Sequence, residues 1–384
     1  MGVDTDSKVG FWQAAKRTLL PFLAVKLLLL VALVMKSAVV PPQEVRSAIP
    51  MPSVAAVYNS WLAVSTAGDG RWYLRLAREG YDRVPYGTPG QHNWAYFPGY
   101  PAFLRLTGIN IPLALVASSM FAFVGYVLLR MYLGRFLEPQ VADTAVAFLI
   151  FFPFSNALGT LRPEAMIFMC WTASLLAWVE GRKNLAIWIS VVAVVLKPEG
   201  LAILAYFFMD ELLASRKEGV KPQRYLRLGI PLIPLALFSV YMFRLTGEPL
   251  AWAKIQEAWG SKFLVQPYEQ TVDLFKNPLL VGRWGWDLTL VNVVCSVIGI
   301  GAIAAAAARP AYLPAAAFAA AVFLLSFLNF GYWQMGRHLA IAPTLAMGFA
   351  LLPDRVRGTL VLFVAGVGAM TLLMFAYGLR FAYA

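Results

Sequence analysis

Apolar runs of roughly twenty residues recur along almost the whole chain, and this feature constrains the fold more than any other. An α-helix rises 1.5 Å per residue, so about twenty apolar residues cross the hydrocarbon core of a bilayer. The 384 residues are 60% hydrophobic and 14% charged, whereas soluble domains carry about 25% charged residues. The sequence therefore predicts an all-α polytopic membrane protein.

Hydropathy places about eleven transmembrane helices in the chain. They are predicted at 19–40, 111–133, 141–160, 164–180, 184–197, 199–214, 228–246, 286–308, 311–330, 338–353 and 358–378. All of them belong to one predicted domain, 1–384. Two longer polar loops separate them, at 41–110 and 247–285.

The basic residues indicate which side of the membrane each loop faces. Arginine and lysine occur in alternate turns, at positions 8–17, 130–135, 182–183, 216–227, 309 and 355–357. Because cytoplasmic loops are enriched in basic residues, the N-terminus is predicted inside and both long loops outside. The net charge of +12 then reflects loop bias and contact with membrane lipids. Basic residues form no single patch, so no nucleic-acid partner is predicted.

The most polar stretch, 68–101, lies in the first outer loop. Its sequence is GDGRWYLRLAREGYDRVPYGTPGQHNWAYFPGYP. The spacing predicts an amphipathic helix over about 70–78 that lies at the membrane interface. One face carries Trp72, Tyr73, Leu76 and Ala77, and the other carries Arg71, Arg75 and Arg78. A stretch so rich in charge and aromatic rings is the leading candidate for chemistry.

Asp69 stands between two glycines just before this helix. Two roles remain open, and one carboxylate can combine them. Asp69 can cap the helix by accepting its first N–H groups, or it can act as a general base toward an acceptor hydroxyl. His92, in the same loop, is either a hydrogen-bonded structural residue or a substrate contact.

Two short turns repeat a cation, a proline and a carboxylate, as Leu-Arg162-Pro-Glu164 and Leu-Lys197-Pro-Glu199. Proline suits the first helical position, and helix N-termini attract anions. Arginine and lysine there either bind a phosphate or anchor the span ends by extending toward the headgroups.

Further candidates lie toward the C-terminal end of the chain. Arg337 and His338 begin another returning span within GYWQMGRHLAIAP, and a cation near the membrane is costly unless it is used or paired. Gln256 lies in the outer stretch GEPLAWAKIQEAWG, where acceptor contact and interface anchoring are equally open.

These motifs together resemble the PIG-V-like family of integral-membrane mannosyltransferases, in its bacterial branch. That family carries WD-x-x-WY-x-x-I/L-A-x-x-GY followed by an aromatic FFP-x-YP segment. The matching residues here are Asp69, Trp72, Tyr73, Ala77, Gly80, Tyr81, Phe97, Pro98, Tyr100 and Pro101. This chain departs from the pattern at Gly68, where the family usually has Trp, and at Tyr96, which replaces the first Phe.

The resemblance implies a C-type glycosyltransferase fold and a metal-independent transfer of a sugar, typically mannose. The donor is a polyprenyl-phosphate sugar, and the acceptor hydroxyl belongs to a lipid, a glycan or a protein. The implied site faces the outside of a bacterial plasma membrane. Asp69 is the implied base of an inverting displacement, and cations stabilise the leaving phosphate.

The predicted site divides into two groups of residues besides Asp69. The donor-phosphate group is Arg162, Lys197, Arg337 and His338. The substrate-binding group is Trp72, Tyr73, Glu164, Glu199, His92, Tyr100 and Gln256. Cys170 and Cys295 lie in apolar runs and the two histidines are far apart, so neither a disulfide nor a zinc site is predicted.

The alternative function is a lipid-linked sugar transporter, a flippase or another polytopic carrier. Transporters often place charged residues and broken helices at the bilayer midplane. Here the charged residues gather at one outer face, and Lys26 is the main exception. This distribution favours the transferase.

Overall fold

The computed structural model describes residues 9–38, 53–261, 263–276 and 288–376, and all its regular elements are helical. The α-helices are α1 (Phe11–Ala38), α2 (Val54–Ser65), α3 (Asp69–Glu79), α4 (Gly99–Leu106), α5 (Ile111–Leu133), α6 (Pro139–Ile150), α7 (Glu164–Val179), α8 (Lys183–Leu196), α9 (Leu204–Glu218), α10 (Pro222–Leu226), α11 (Ile233–Thr246), α12 (Ala251–Lys254), α13 (Val265–Lys276), α14 (Leu288–Ala307), α15 (Leu313–Phe330), α16 (Met335–Ala340), α17 (Pro343–Ala350) and α18 (Asp354–Ala376). Short 3-10 helices lie at Asn93–Ala95, Ser155–Gly159, Pro198–Ile203, Arg227–Leu232, Ile255–Trp259 and Pro310–Tyr312. The predicted all-α class is confirmed.

Six helical stretches of the described chain are long and apolar enough to cross a membrane. They are Phe11–Ala38, Ile111–Leu133, Pro222–Thr246, Leu290–Ala307, Pro310–Phe330 and Asp354–Leu373. Four apolar helices are shorter, at Val54–Ser65, Pro139–Ile150, Glu164–Val179 and Lys183–Leu196. The chain is therefore a polytopic membrane protein, and the predicted count of about eleven spans is not confirmed.

Several predicted spans are broken where hydropathy alone made them continuous. The span predicted at 141–160 stops as a helix at Ile150, and the one at 338–353 divides into α16 and α17. Pro343 starts α17 because proline fits the first helical turn and cannot continue a helix. Every residue of α16 and α17 is buried, and such irregular backbone survives in a membrane where protein covers it.

Helix α2 runs back along α1, which determines where the polar loop begins. The hydroxyl oxygens of Ser37 and Ser60 lie 3.1 Å apart, and Leu33 packs in one cluster with Val64. Because the residue later in α1 contacts the residue earlier in α2, the two helices are antiparallel. The proline-rich exit at 41–52 lies outside the described residues. Since α2 leads the chain back toward the helical core, α3 begins against buried protein.

Helix α3 has the predicted amphipathic character and extends over Asp69–Glu79. Its buried face carries Tyr73, Leu74, Leu76 and Ala77, while Arg71, Arg75 and Arg78 are exposed. Gly68, not Asp69, is the N-cap, and no side chain caps the helix there. Gly68 has φ +61°, which glycine adopts without the steric cost that a side chain brings. The capping role considered for Asp69 is therefore wrong.

The second outer loop packs over the first one. Trp94 and Phe97 of the first loop cluster with Met242 and Ile255. Gln270 on α13 accepts a hydrogen bond from the Tyr332 backbone N–H at 2.6 Å. These contacts attach the described part of 247–285 to the first loop and to the end of α15. Residues 277–285 of that loop lie outside the described residues.

A buried carboxylate holds α8, α9 and α10 together at the predicted cytoplasmic side. Glu211 is fully buried and accepts a hydrogen bond from Lys183 at 2.8 Å and another from Arg227. Arg224 lies 3.6 Å from its second oxygen. Three cations thus balance one buried carboxylate far along the chain from Asp69.

Candidate active site

Three distant parts of the chain meet at the carboxylate of Asp69. Arg337 Nη1 donates a hydrogen bond to Asp69 Oδ2 at 3.2 Å, although the two residues lie 268 positions apart. Arg162 Nη1 lies 3.7 Å from the same oxygen. The Tyr96 hydroxyl donates to Asp69 Oδ1 at 3.2 Å. Both oxygens of Asp69 therefore have partners.

The surroundings of Asp69 favour its charged form. Burial acts to raise its pKa, but the charges of Arg162, Arg337 and Lys197 and the hydrogen bond from Arg337 outweigh burial, so the pKa lies below its usual value. Asp69 is therefore ionised at physiological pH. A carboxylate with a lowered pKa is also a weaker base while the guanidinium groups remain beside it.

A second set of charges lies next to Asp69. Lys197 Nζ is 3.1 Å from Glu199 Oε1 and 3.9 Å from Glu164 Oε1. Arg337 Nε is also 3.9 Å from Glu164 Oε1. Three carboxylates and three cations thus alternate through one connected cluster, and Arg337 joins its two halves.

The two cation–proline–carboxylate turns are placed together as predicted, but they differ in geometry. Glu164 is the first residue of α7, and Pro163 is its N-cap. Pro198 instead starts a 3-10 helix after the extended Lys197. Gly200 fixes this second turn against α8, because a Cβ there would lie 2.5 Å from the Ala193 carbonyl oxygen. Trp171 on α7 donates a hydrogen bond to the Gly200 carbonyl oxygen at 3.2 Å, and this contact holds the turn against α7.

The cluster lines a cavity that encloses about 700 Å³ when its open mouth is included. Seven predicted site residues line it, namely Asp69, Tyr73, Glu164, Lys197, Glu199, Gln256 and Arg337. The remaining wall is formed by Ala95, Tyr96, Trp259, Gly260, Ser261, Phe330, Trp333 and Gln334. The two outer loops and the outer ends of several helices therefore share one cavity.

Three predicted residues lie just behind this wall. Arg162 is 2% exposed and also donates to the Ala67 carbonyl oxygen at 3.1 Å. Trp72 stacks parallel to Tyr96 with ring centroids 6.1 Å apart. Tyr100 is fully buried and meets the Tyr73 ring edge-on at 5.0 Å. These side chains are placed to hold the lining residues rather than to reach into the cavity.

Two predicted residues lie elsewhere. His338 is hydrogen-bonded to the Ser326 hydroxyl and lines a neighbouring, mostly apolar cavity that shares Lys197 with the first. His92 stacks on Trp94 with centroids 4.3 Å apart, and its Nε2 lies 3.1 Å from the Thr88 carbonyl oxygen. The structure does not bring His92 to the charged cavity, and its contacts are those of a structural histidine.

Sequence reasoning missed two polar residues that orient the cluster. Tyr96 is the hydroxyl partner of Asp69, and Gln334 Oε1 accepts a hydrogen bond from Arg337 Nη2. The signal for Tyr96 was present, because it differs from the phenylalanine of the resembled motif by this hydroxyl. Burial, and then the negative charge of Asp69, raises the pKa of Tyr96, so the phenol stays protonated and can donate. Gln334 offered no comparable signal.

Fold and cavity together define a polytopic membrane protein with a charged, aromatic-walled site at the predicted outer side. No protein-family model matches this chain, and no curated protein matches it in sequence. Among solved structures the chain is similar to an oligosaccharyltransferase from Archaeoglobus fulgidus. The PIG-V-like resemblance itself stays a prediction.

Two crystal structures of that enzyme are similar to this chain. The first, tethered with an acceptor peptide containing the NVT sequon via a disulfide bond, is 13% identical, with 93% of this chain and 55% of that chain covered and a TM-score of 0.47. The second, a complex with Zn and sulfate, is 13% identical, with coverages of 92% and 53% and a TM-score of 0.45. The chain spans about half the length of that enzyme, and a likeness of this degree carries no argument about activity.

Proposed function

We propose that this protein is a membrane glycosyltransferase with a C-type glycosyltransferase fold. It transfers a sugar, typically mannose, from a polyprenyl-phosphate donor to the hydroxyl of a lipid, glycan or protein acceptor. The reaction takes place on the extracytoplasmic side of a bacterial plasma membrane and inverts the anomeric centre. The observation that carries this proposal is the meeting of Asp69 with Arg337, Arg162 and Lys197 at one open cavity.

In such a reaction, cations stabilise the leaving phosphate and a carboxylate deprotonates the acceptor hydroxyl. A departing polyprenyl phosphate gains negative charge, and Arg337 and Lys197 line the cavity where that charge develops. Asp69 accepts the proton of the acceptor hydroxyl. His338 lines the neighbouring, mostly apolar cavity, where the lipid part of a donor finds an apolar surface.

In this proposal, donor binding increases the basicity of Asp69. A phosphate group competes with Asp69 for Arg337, because guanidinium binds both anions through charge-assisted hydrogen bonds. Once Arg337 turns to the donor, Asp69 Oδ2 loses its donor at 3.2 Å and its pKa rises toward the usual range. Donor binding thereby prepares the base.

The same residues support a reaction without a metal ion. Two guanidinium groups already lie within 4 Å of Asp69 Oδ2, so positive charge for the leaving group comes from side chains. Metal independence is part of this proposal and is checked by transfer in the presence of a chelator.

The test uses full-length protein in nanodiscs with a radiolabelled polyprenyl-phosphate mannose and a membrane-extract acceptor. Asp69→Asn should abolish transfer while keeping the protein folded, because the amide cannot take the proton. Glu79→Gln is the matched control, since Glu79 is an exposed carboxylate at the other end of α3. Full activity in Asp69→Asn refutes the mechanism. Donor flux across sealed vesicles without any acceptor favours the carrier alternative instead.

A further inference from the structure

We propose that Glu164 and Glu199 are specificity-determining residues that accept hydrogen bonds from the hydroxyls of a neutral sugar. This inference rests on the proposed function, because it concerns the same cavity. It assigns the carboxylates that the transfer step does not use, and it states which class of sugar they select. Asp69 keeps the role of base.

Glu164 is the first observation. It is 1% exposed and lines the charged cavity, yet its Oε2 has no hydrogen-bond partner among the described residues. Its other oxygen is 3.9 Å from both Lys197 Nζ and Arg337 Nε, which is beyond hydrogen-bonding distance. A buried acceptor without a donor destabilises the folded state, and a ligand that supplies a donor relieves this.

Glu199 repeats the pattern on the opposite turn. Its Oε1 is held by Lys197 Nζ at 3.1 Å, while its Oε2 is buried and has no hydrogen-bond partner in the described part of the chain. Lys197 Nζ lies within 4 Å of both carboxylates, and both glutamates line the same cavity. A ligand in that cavity therefore has two carboxylates on neighbouring turns as possible acceptors.

Asp69 differs from both glutamates in a way that separates their roles. Its Oδ1 accepts from Tyr96 and its Oδ2 accepts from Arg337. Both oxygens of Asp69 therefore have partners, whereas Oε2 of each glutamate has no hydrogen-bond partner among the described residues. This difference assigns recognition to the glutamates and leaves Asp69 as the base.

The chemistry of ionised carboxylates limits the ligand. They accept hydrogen bonds and donate none, so the ligand must present O–H or N–H groups. A carboxylate or phosphate on the same edge of the ligand is repelled by like charge. Aromatic rings of Trp259 and Trp333 in the cavity wall offer flat apolar surfaces to the C–H faces of a sugar ring. A neutral, hydroxyl-rich sugar satisfies all three conditions, whereas a uronic acid does not.

The experiment measures binding without transfer. Full-length protein in nanodiscs is titrated with methyl glycosides of mannose, glucose and glucuronic acid, and binding is followed by saturation-transfer NMR. Wild type should bind at least one neutral glycoside and discriminate against the glucuronide. Glu164→Gln and Glu199→Gln should each weaken the neutral glycoside by about 10- to 100-fold, the size of a hydrogen bond to a charged group. Both variants should also lose part of the discrimination against the glucuronide.

Controls keep this result separate from the proposed transfer. Glu79→Gln should bind as wild type does, and thermal unfolding identifies any variant that fails to fold. If Glu164→Gln does not fold, Glu199→Gln decides alone, because that side chain is partly exposed. Wild-type affinity in both glutamate variants, a preference for the glucuronide, or no glycoside binding at all each overturns the proposal.

Discussion

Replacing Arg337 gives the most informative single change in this protein, because Arg337 joins the two halves of the charged cluster. It is 5% exposed, donates to Asp69 at 3.2 Å and lies 3.9 Å from Glu164. Arg337→Met removes the positive charge and keeps much of the side-chain volume. Arg337→Lys keeps the charge but loses the planar fork that contacts Asp69 and Gln334 together.

The cost to stability follows from these contacts. Removing one partner of a fully buried ion pair costs about 3–5 kcal/mol, and a hydrogen bond to a charged group contributes about 1.5–3 kcal/mol. The Asp69 side chain is 22% exposed and Arg162 stays 3.7 Å from it. We therefore expect the smaller effect, about 2 kcal/mol for Arg337→Met. Denaturant unfolding in mixed micelles measures it.

The pH dependence of that cost provides a second check. Because folding lowers the pKa of Asp69, its ionised form stabilises the folded protein above the unfolded-state pKa, about 3.9. This stability is lost as the pH falls through the lower folded-state pKa. Arg337→Met raises the folded-state pKa toward its usual value. The stability difference between wild type and variant should therefore be full at neutral pH and should shrink in acid.

Transfer should suffer more than stability. Removing one preorganised donor to a developing charge lowers kcat by about 10²- to 10³-fold, so Arg337→Met should lose this much and Arg337→Lys less. Arg75→Met is the control, since it breaks exposed pairs outside the cavity, costs at most about 1 kcal/mol and should leave transfer unchanged. If Arg337→Met is destabilised as expected yet transfers at the wild-type rate, Arg337 only supports the fold and the reasoning about the leaving group is refuted.

Three further changes test the surroundings of the site. Tyr96→Phe removes the hydroxyl partner of the ionised Asp69 and should cost about 1.5–3 kcal/mol in unfolding measurements; an unchanged stability contradicts this hydrogen bond. Gly68→Ala forces a side chain to φ +61° and should cost about 1–2 kcal/mol of folding stability. Gly70→Ala is the control and should cost less, because its Cβ would meet Leu161 at an ordinary 3.4 Å. Equal losses of stability in the two variants refute the strain argument. Glu211→Gln should destabilise by about 3–5 kcal/mol without altering the KM for the donor, and a changed KM would link the cytoplasmic cluster to the site.

The sequence predicted those features that depend on local composition. Hydropathy identified the long apolar helices, and the 3.6-residue period identified α3 with its arginine face. Repetition of the cation–proline–carboxylate turn brought Arg162, Glu164, Lys197 and Glu199 into the predicted site. Each of these signals lies within a few residues of chain, where physical rules are strong.

Features that depend on tertiary contact were not predictable in this way. The pairing of Arg337 with Asp69 joins residues 268 positions apart, and no local pattern marks it. The return of α2 along α1 and the break between α16 and α17 also escaped, because hydropathy counts apolar residues and does not detect a buried turn. The residue type alone makes His92 a candidate substrate contact, but its ring packs on Trp94 and not in the charged cavity.

The charge balance of the cavity bears on how the proposed transfer would be switched on. With three carboxylates and three cations in contact, each charge is compensated, and Asp69 is held in its least basic form. An arriving phosphate disturbs this balance at Arg337, the one cation of the cluster that is within 4 Å of both Asp69 and Glu164 among the described residues. In the proposed mechanism, the cation that binds the donor is thus the same one that suppresses the base. Proton transfer is then linked to donor occupancy, and Asp69 does not activate water before the donor arrives.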